Sequence, residues 1–318
     1  MENILWPIRW LVEAIMAVWH ALFTGIGLES NSGLTWVLSI IGLVVVVRLL
    51  ILPLTVRQIR SSRKMMELSP LVKKIQQKYK GKKDQYSRQQ MQREMMALYK
   101  EHKTNPLASC FPILAQLPVF FSLFFVLRDA SAKVTGVGFM DADLTASFHD
   151  AEFLGAPLKM TFFESLANDK PVVAVMLGII MILMVASQFF TQLQLMSKNV
   201  SDETKASSMY KQQKVILYII PFAFLFSGLT FALALNLYWL ATNLWTVGQQ
   251  AVVINKAPNP GSEAYRLRQE RLRAKGKPTD DDIKREKLIA EGRMPAEPQQ
   301  GQRVQPMSAK RAKKKGNR

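Results

Sequence analysis

Cysteine is nearly missing from this chain. Cys110 is alone among 318 residues, so no intrachain disulfide can brace the fold. Histidine is scarce as well. His20, His102 and His149 are scattered without ligand-like spacing, so no metal centre is expected. No set of side chains reads as a nucleophile with its base, and none as a cofactor site, so the reading is not that of an enzyme. Acid is also absent from the apolar sequence: the five long apolar runs hold no Asp or Glu. There is no internal repeat and almost no ionisable group inside those runs, which weighs against a solute or ion transporter.

What is present is an unusual pairing, 49% hydrophobic residues with a formal net charge of +18. It resolves once the chain is divided, because the apolar residues fall in runs and the bases fall between and after them. The run around which the rest is organised is Leu34 to Val56, LTWVLSIIGLVVVVRLLILPLTV. At ~1.5 Å per residue it makes a helix of ~34 Å, enough to span a bilayer. Its one charge is Arg48, ~12 Å from the end that carries the next base, Arg57. A guanidinium there costs roughly 3 kcal/mol on insertion scales. Either it snorkels to the interface, or water reaches it from one side. Pro53 and Thr55 follow it and gather polar groups toward the same end.

Taken in order, residues 1–30 read as an N-terminal interfacial helix. Leu5, Ile8, Val12, Ile15, Val18, Trp19 and Leu22 keep helical spacing, Arg9, Glu13 and His20 interrupt the apolar run, and Trp6, Trp10 and Trp19 suit a membrane interface. A true span is the alternative, and Glu2 with the absence of an early Lys cluster argues against a signal peptide. Residues 31–254 form the core, with spans expected at about 34–56, 106–127, 172–194, 215–228 and 229–253. Between the first two, residues 57–103 hold 14 bases and 4 acids. Met65, Leu68, Val72, Ile75 and Tyr79 make a coiled-coil seam, Gly81 breaks it, Ser87 and Gln90 read as a capping box, and Met91, Met95 and Leu98 make a second seam. The stretch 57–104 is therefore expected to be an antiparallel helical hairpin. The second run carries Pro112, Pro118 and Gln116, with Phe124 expected to face lipid. Residues 128–170 are net acidic, with 7 acids and 4 bases. The last two runs are expected to turn near Ser227-Gly228. The final run carries Asn236, Tyr238, Trp239, Thr242 and Asn243. Residues 255–318 form a basic tail of 18 bases and 8 acids that reads as mostly disordered, with short helices expected at Tyr265 to Lys275 and Asp280 to Ala290. The fold class is an all-α membrane protein of five transmembrane helices with a cytosolic hairpin. The positive-inside rule places the N-terminus outside and the hairpin and C-terminus in the cytosol.

Several of these stretches together resemble one family. They are Arg48 within VVVVRLLILPLTVRQ, the hairpin ending Met95-Met96-Ala97-Leu98-Tyr99-Lys100, the run Asn105-Pro106…Cys110-Phe111-Pro112…Gln116-Leu117-Pro118, and Leu237-Tyr238-Trp239…Asn243…Gln249-Gln250. In this order, over roughly Leu34 to Ile254, they are similar to the YidC family of membrane protein insertases, in its short Gram-positive or actinobacterial-like form. The resemblance implies a bacterial plasma-membrane protein that inserts new membrane proteins through a hydrophilic groove open to the cytosol. Arg48, Gln116 and Trp239 carry over as groove residues, and Tyr238 and Asn243 join them. Nascent membrane proteins, the ribosome and anionic lipids are the implied partners; a Sec translocon is left open, and no small-molecule substrate is implied. Two positions depart from the pattern. Phe231-Ala232-Leu233-Ala234 stands where the family has Phe-Pro-x-Gly, and Val44 stands where some members have a hydroxyl. The rival readings are a transporter and a membrane-anchored ribosome- or RNA-binding scaffold, the latter having no need of a buried Arg48 or Gln116.

Overall fold

In the computed structural model, residues 2–292 are described, apart from 83, 103, 105–110, 202–204 and 206–207. The Arg48 run lies in α2, Gly33–Glu67, which continues through Pro53 and well past Val56. At ~1.5 Å per residue its 35 residues extend ~52 Å. What stops it is Pro70, which lacks an N–H and whose ring crowds the carbonyl four residues back. The seam read from Met65 to Tyr79 is thus broken at Leu68, and α3 covers only Ser69–Lys78. A turn through Gly81, at φ +87°, leads to α4, Gln85–Glu101. The expected capping box at Ser87 and Gln90 is replaced by Asp84, whose carboxylate accepts the Ser87 N–H at 2.8 Å. An acid three residues upstream of a free helical N–H is the stronger acceptor at the positive helix end. Glu94 of α4 then receives Lys78 Nζ at 2.5 Å and Tyr79 Oη at 2.8 Å.

The remaining long helices are α5 (Phe111–Ser131), α8 (Pro171–Lys198), α9 (Ser208–Thr230) and α10 (Leu233–Lys256). The expected start of the second run, residues 106–110, lies outside the described residues. By length and apolarity among the described residues, Gly33–Met65 and Pro171–Lys198 could each cross a membrane. The turn between α9 and α10 falls at Phe231-Ala232, four residues later than the expected Ser227-Gly228. Asn236 fixes it. Its buried amide nitrogen lies within hydrogen-bond distance of the carbonyls of Gly228 (3.1 Å), near the end of α9, and of Phe231 (2.9 Å) and Ala232 (3.3 Å) in the turn. The first donors of α10 are met from elsewhere, Leu233 N–H by the Met160 carbonyl and Ala234 N–H by that of Leu158, both at 2.9 Å.

Those carbonyls belong to the acidic segment 128–170, which is folded. It holds α6 (Ala142–Asp150), a hairpin of β1 (Glu152–Phe153) and β2 (Ala156–Pro157), and α7 (Phe162–Ala167). Leu154 and Gly155 both take positive φ, 52° and 77°, as a tight two-residue hairpin turn requires. Thr161 and Glu164 form a reciprocal capping box.

Helix α1, Glu2–Gly25, packs chiefly on α2 and α5. Gly42 of α2 admits the Trp19 indole, whose ring a Cβ there would meet at 2.6 Å. Arg9, Glu13 and His20 of α1 point inward. Arg9 pairs with Asp129 at 2.6 Å, and Glu13, wholly buried, accepts N–H bonds from Val137 (2.9 Å), Gly138 (2.7 Å) and Met140 (3.4 Å). Trp6, Trp10, Leu11, Val18 and Leu22 point outward.

Residues 257–262 close against α8: Asn259 N–H donates to Asn199 Oδ1 at 2.8 Å and Asn259 Nδ2 to the Asn199 carbonyl at 2.7 Å. By internal contacts the chain divides into Met1–Arg266 and Leu267–Arg318. The short helices expected in the tail are α11, Glu263–Ala274, and α12, Asp280–Ala290. In the second unit, Asp280 takes Arg268 Nε at 2.8 Å and Gln269 Nε2 at 3.1 Å. The rest of the expected disordered tail, 293–318, lies outside the described residues.

Candidate functional site

The facing sides of α2, α5 and α10 bring polar groups together at the level of Arg48. On α10, Tyr238, Thr242 and Thr246 follow at intervals of four and share a face. Arg48 meets that face: its Nη2 donates to Thr246 Oγ1 at 3.1 Å and to the Thr242 carbonyl at 3.4 Å. One turn away, Gln116 Nε2 of α5 donates to Tyr238 Oη at 3.1 Å. The cluster contains one formal charge. Among the described residues no carboxylate pairs with Arg48, which remains half-buried with two neutral acceptors.

Trp239 and Asn243 sit off this face. Trp239 stacks on Phe120 of α5 at 5.5 Å with an interplanar angle of 1°, and its edge meets Phe231 at 5.3 Å. Since Phe120 is one turn from Gln116, this aromatic wall borders the polar cluster. Asn243 turns toward α8, where Nδ2 donates to the Met184 carbonyl at 3.3 Å. Phe124, expected to face lipid, is partly exposed and sets its ring against Phe231 at 5.5 Å. Thr246 was missed in the sequence. The signal for it was the Tyr238, Thr242, Thr246 spacing, which marks one polar stripe on an otherwise apolar helix. Beyond the polar cluster, α2 and α10 part to leave an apolar cleft of about 510 Å³. Among the described residues no group of three or more His, Cys, Asp or Glu side chains could hold a metal ion.

Chemically, the cluster offers a positive charge and several hydroxyl and amide groups in an apolar setting. It can pair with a polar or acidic group. The family model described as 60Kd inner membrane protein matches residues 27–260. A Tropheryma whipplei (strain Twist) protein named membrane protein insertase YidC is 40% identical over 322 residues, which cover 99% of this chain and 97% of that protein. A protein of the same name from Streptomyces avermitilis is 42% identical over 272 residues, 84% of this chain and 61% of its own length. One from Bifidobacterium longum is 37% identical over 273 residues, 83% and 79% of the two lengths. The matched region runs from before α2 to beyond α10 and takes in every residue that surrounds Arg48, so this chain belongs to the 60Kd inner membrane protein family of bacterial membrane proteins.

Proposed function

We propose that this chain is a membrane protein insertase that moves the hydrophilic ends of new membrane proteins part-way across the bilayer, without covalent chemistry. The observation that carries the reading is Arg48, a charge on an apolar helix with two neutral acceptors and, among the described residues, no carboxylate partner. Arg48, Gln116, Tyr238, Thr242 and Thr246 line a groove, with Trp239 on its edge and Asn243 tying its α10 wall to α8. Water and positive charge in the groove lower the cost of an acidic or polar segment inside the membrane. The apolar part of the substrate leaves along α8 and α10, driven by about 20 apolar residues entering hydrocarbon.

In this reading α2, α5, α8, α9 and α10 are the five spans. The N-terminus lies outside, and the α3–α4 hairpin and the tail lie in the cytosol. Helix α1 lies in the outer interface, its Trp-rich face toward lipid and its polar face toward the acidic cap. The hairpin and tail meet ribosomal RNA and anionic lipid by charge. A Sec translocon is a further candidate partner.

The test uses Cys110, the one native thiol, changed to Ser. Single cysteines are placed at Gln116 and Trp239, with Phe121, 43% exposed, as the lipid-facing control. A charged, membrane-impermeant thiol reagent is applied to inside-out and right-side-out vesicles. A cytosol-open groove requires labelling at Gln116 and Trp239 from the cytosolic side alone, with little at Phe121. Absence of cytosolic labelling at Gln116 supports a dry bundle instead, and equal labelling from both faces supports a channel.

A further inference from the structure

The apolar cleft begins one turn beyond Arg48, toward the Lys256 end of α10. Leu52, Val56 and Ile59 of α2 form one wall, and Leu244, Gly248 and Val252 of α10 the other. Leu244 and Val252 are more than half exposed, at 58% and 54%, so the cleft opens sideways. The indole N–H of Trp245 is already taken by Gln249 Oε1 at 3.1 Å, which leaves Thr55 and Gln249 as the polar part of the lining. Gly248 holds the space open. A Cβ there would meet nothing within 4 Å, and no left-handed backbone calls for glycine in this helix.

Leu244 to Val253 covers ~13 Å of helix, and the lining over that length is almost wholly apolar, which suits a hydrocarbon chain. The charges at the open end then select a head group. Arg60 on α2 and Lys256 on α10 are both exposed, just past the last cleft residues Ile59 and Val253. No Asp or Glu occurs between Leu34 and Met66 or between Phe231 and Ser262. Arg48 closes the inner end, where a hydrocarbon chain must stop short of the guanidinium.

We propose that this cleft seats one acyl chain of an anionic membrane phospholipid, with the lipid phosphate against Arg60 and Lys256. The site requires only that the chain be embedded in a bilayer. It does not depend on the insertase reading, and its test reads lipid rather than insertion.

The full chain is reconstituted in nanodiscs of equal phosphatidylcholine and phosphatidylglycerol with matched acyl chains, released gently, and weighed by native mass spectrometry. Wild type is expected to retain one lipid, phosphatidylglycerol over phosphatidylcholine by at least fivefold. Gly248→Leu, which fills the cleft with a better helix former, should lose that lipid, and Gly248→Ala, which adds one methyl to open space, should keep it. The double variant Arg60→Gln, Lys256→Gln should still retain one lipid with the head-group preference reduced to near unity. A photo-crosslinker at Val56 should capture lipid and not a ribosome-bound nascent chain. Wild type without retained lipid, Gly248→Leu retaining it like wild type, an unchanged preference in the double variant, or capture of nascent chain at Val56 would each overturn the proposal.

Discussion

Replacing Arg48 should separate stability from function. The structural contribution of Arg48 is small on its own geometry. It makes one good hydrogen bond, to Thr246 Oγ1 at 3.1 Å, and one marginal bond, to the Thr242 carbonyl at 3.4 Å. A bond from a charged donor contributes about 1.5–3 kcal/mol. Against it stands the cost of holding a guanidinium at membrane depth, about 3 kcal/mol on insertion scales. The two nearly cancel, so Arg48→Ala should change unfolding free energy by no more than about 1 kcal/mol. The acceptors it leaves behind can relax: the Thr246 hydroxyl still donates to the Thr242 carbonyl at 2.8 Å. Insertion should respond differently, because in the proposed groove the charge is the part an acidic substrate segment would meet. In proteoliposomes, with a single-span substrate bearing an acidic N-terminal tail, Arg48→Ala should lose at least tenfold in insertion rate. Arg48→Lys, which keeps the charge but not the planar fork, should retain most of it. Denaturant unfolding in the same lipid gives the stability arm. A destabilisation of about 3 kcal/mol or more in the alanine variant would make Arg48 a structural keystone. Full insertion by that variant would refute a role for the charge.

Glu13→Ala should destabilise the protein by about 3–5 kcal/mol, because it strips a buried carboxylate from the N–H groups of Val137, Gly138 and Met140; hydrogen exchange should speed up first in residues 134–140, and unchanged exchange there would contradict the anchoring. Deleting 267–318, which holds 16 bases and 7 acids and spares the Asn199–Asn259 contacts, should weaken co-sedimentation with empty ribosomes and flatten its salt dependence; an equal salt slope would refute the electrostatic role. The α3–α4 pairing should depend on pH at both extremes. The Lys78 and Tyr79 hydrogen bonds hold the Glu94 carboxyl below its ordinary value, so its contribution is present above that ordinary value and lost as pH falls through the lowered one. The bond to Glu94 raises the Lys78 ammonium, so its contribution is present below the ordinary lysine value and lost as pH rises through the raised one. Amide protection factors in α3 and α4, with the intrinsic pH dependence of exchange divided out, should therefore be flat between about pH 5 and 9 and fall outside that window, and a fall near pH 7 would contradict the assignment.

By itself the sequence determined where the long helices lie and which residue among them is anomalous. Runs without acid and stretches dense in base are one-dimensional features, and a span announces itself by length alone. It also carried the short helices of the tail, where Thr279 and Asp282 form a capping box. Partners were a different matter. Periodicity says which residues share a face of a helix, but in a membrane both lipid and protein interior are apolar, so it does not say what that face meets. That is why the polar residues of α1 read as interruptions, although Arg9 and Glu13 are the buried side of the helix. It is also why Tyr238 and Asn243 looked equivalent. Only the packing directs one to Gln116 and the other to Met184. The α9–α10 turn was decided in three dimensions too. Its donors are satisfied by carbonyls of Leu158 and Met160, more than 70 residues earlier in the chain, and no local signal could reveal that distant source of acceptors.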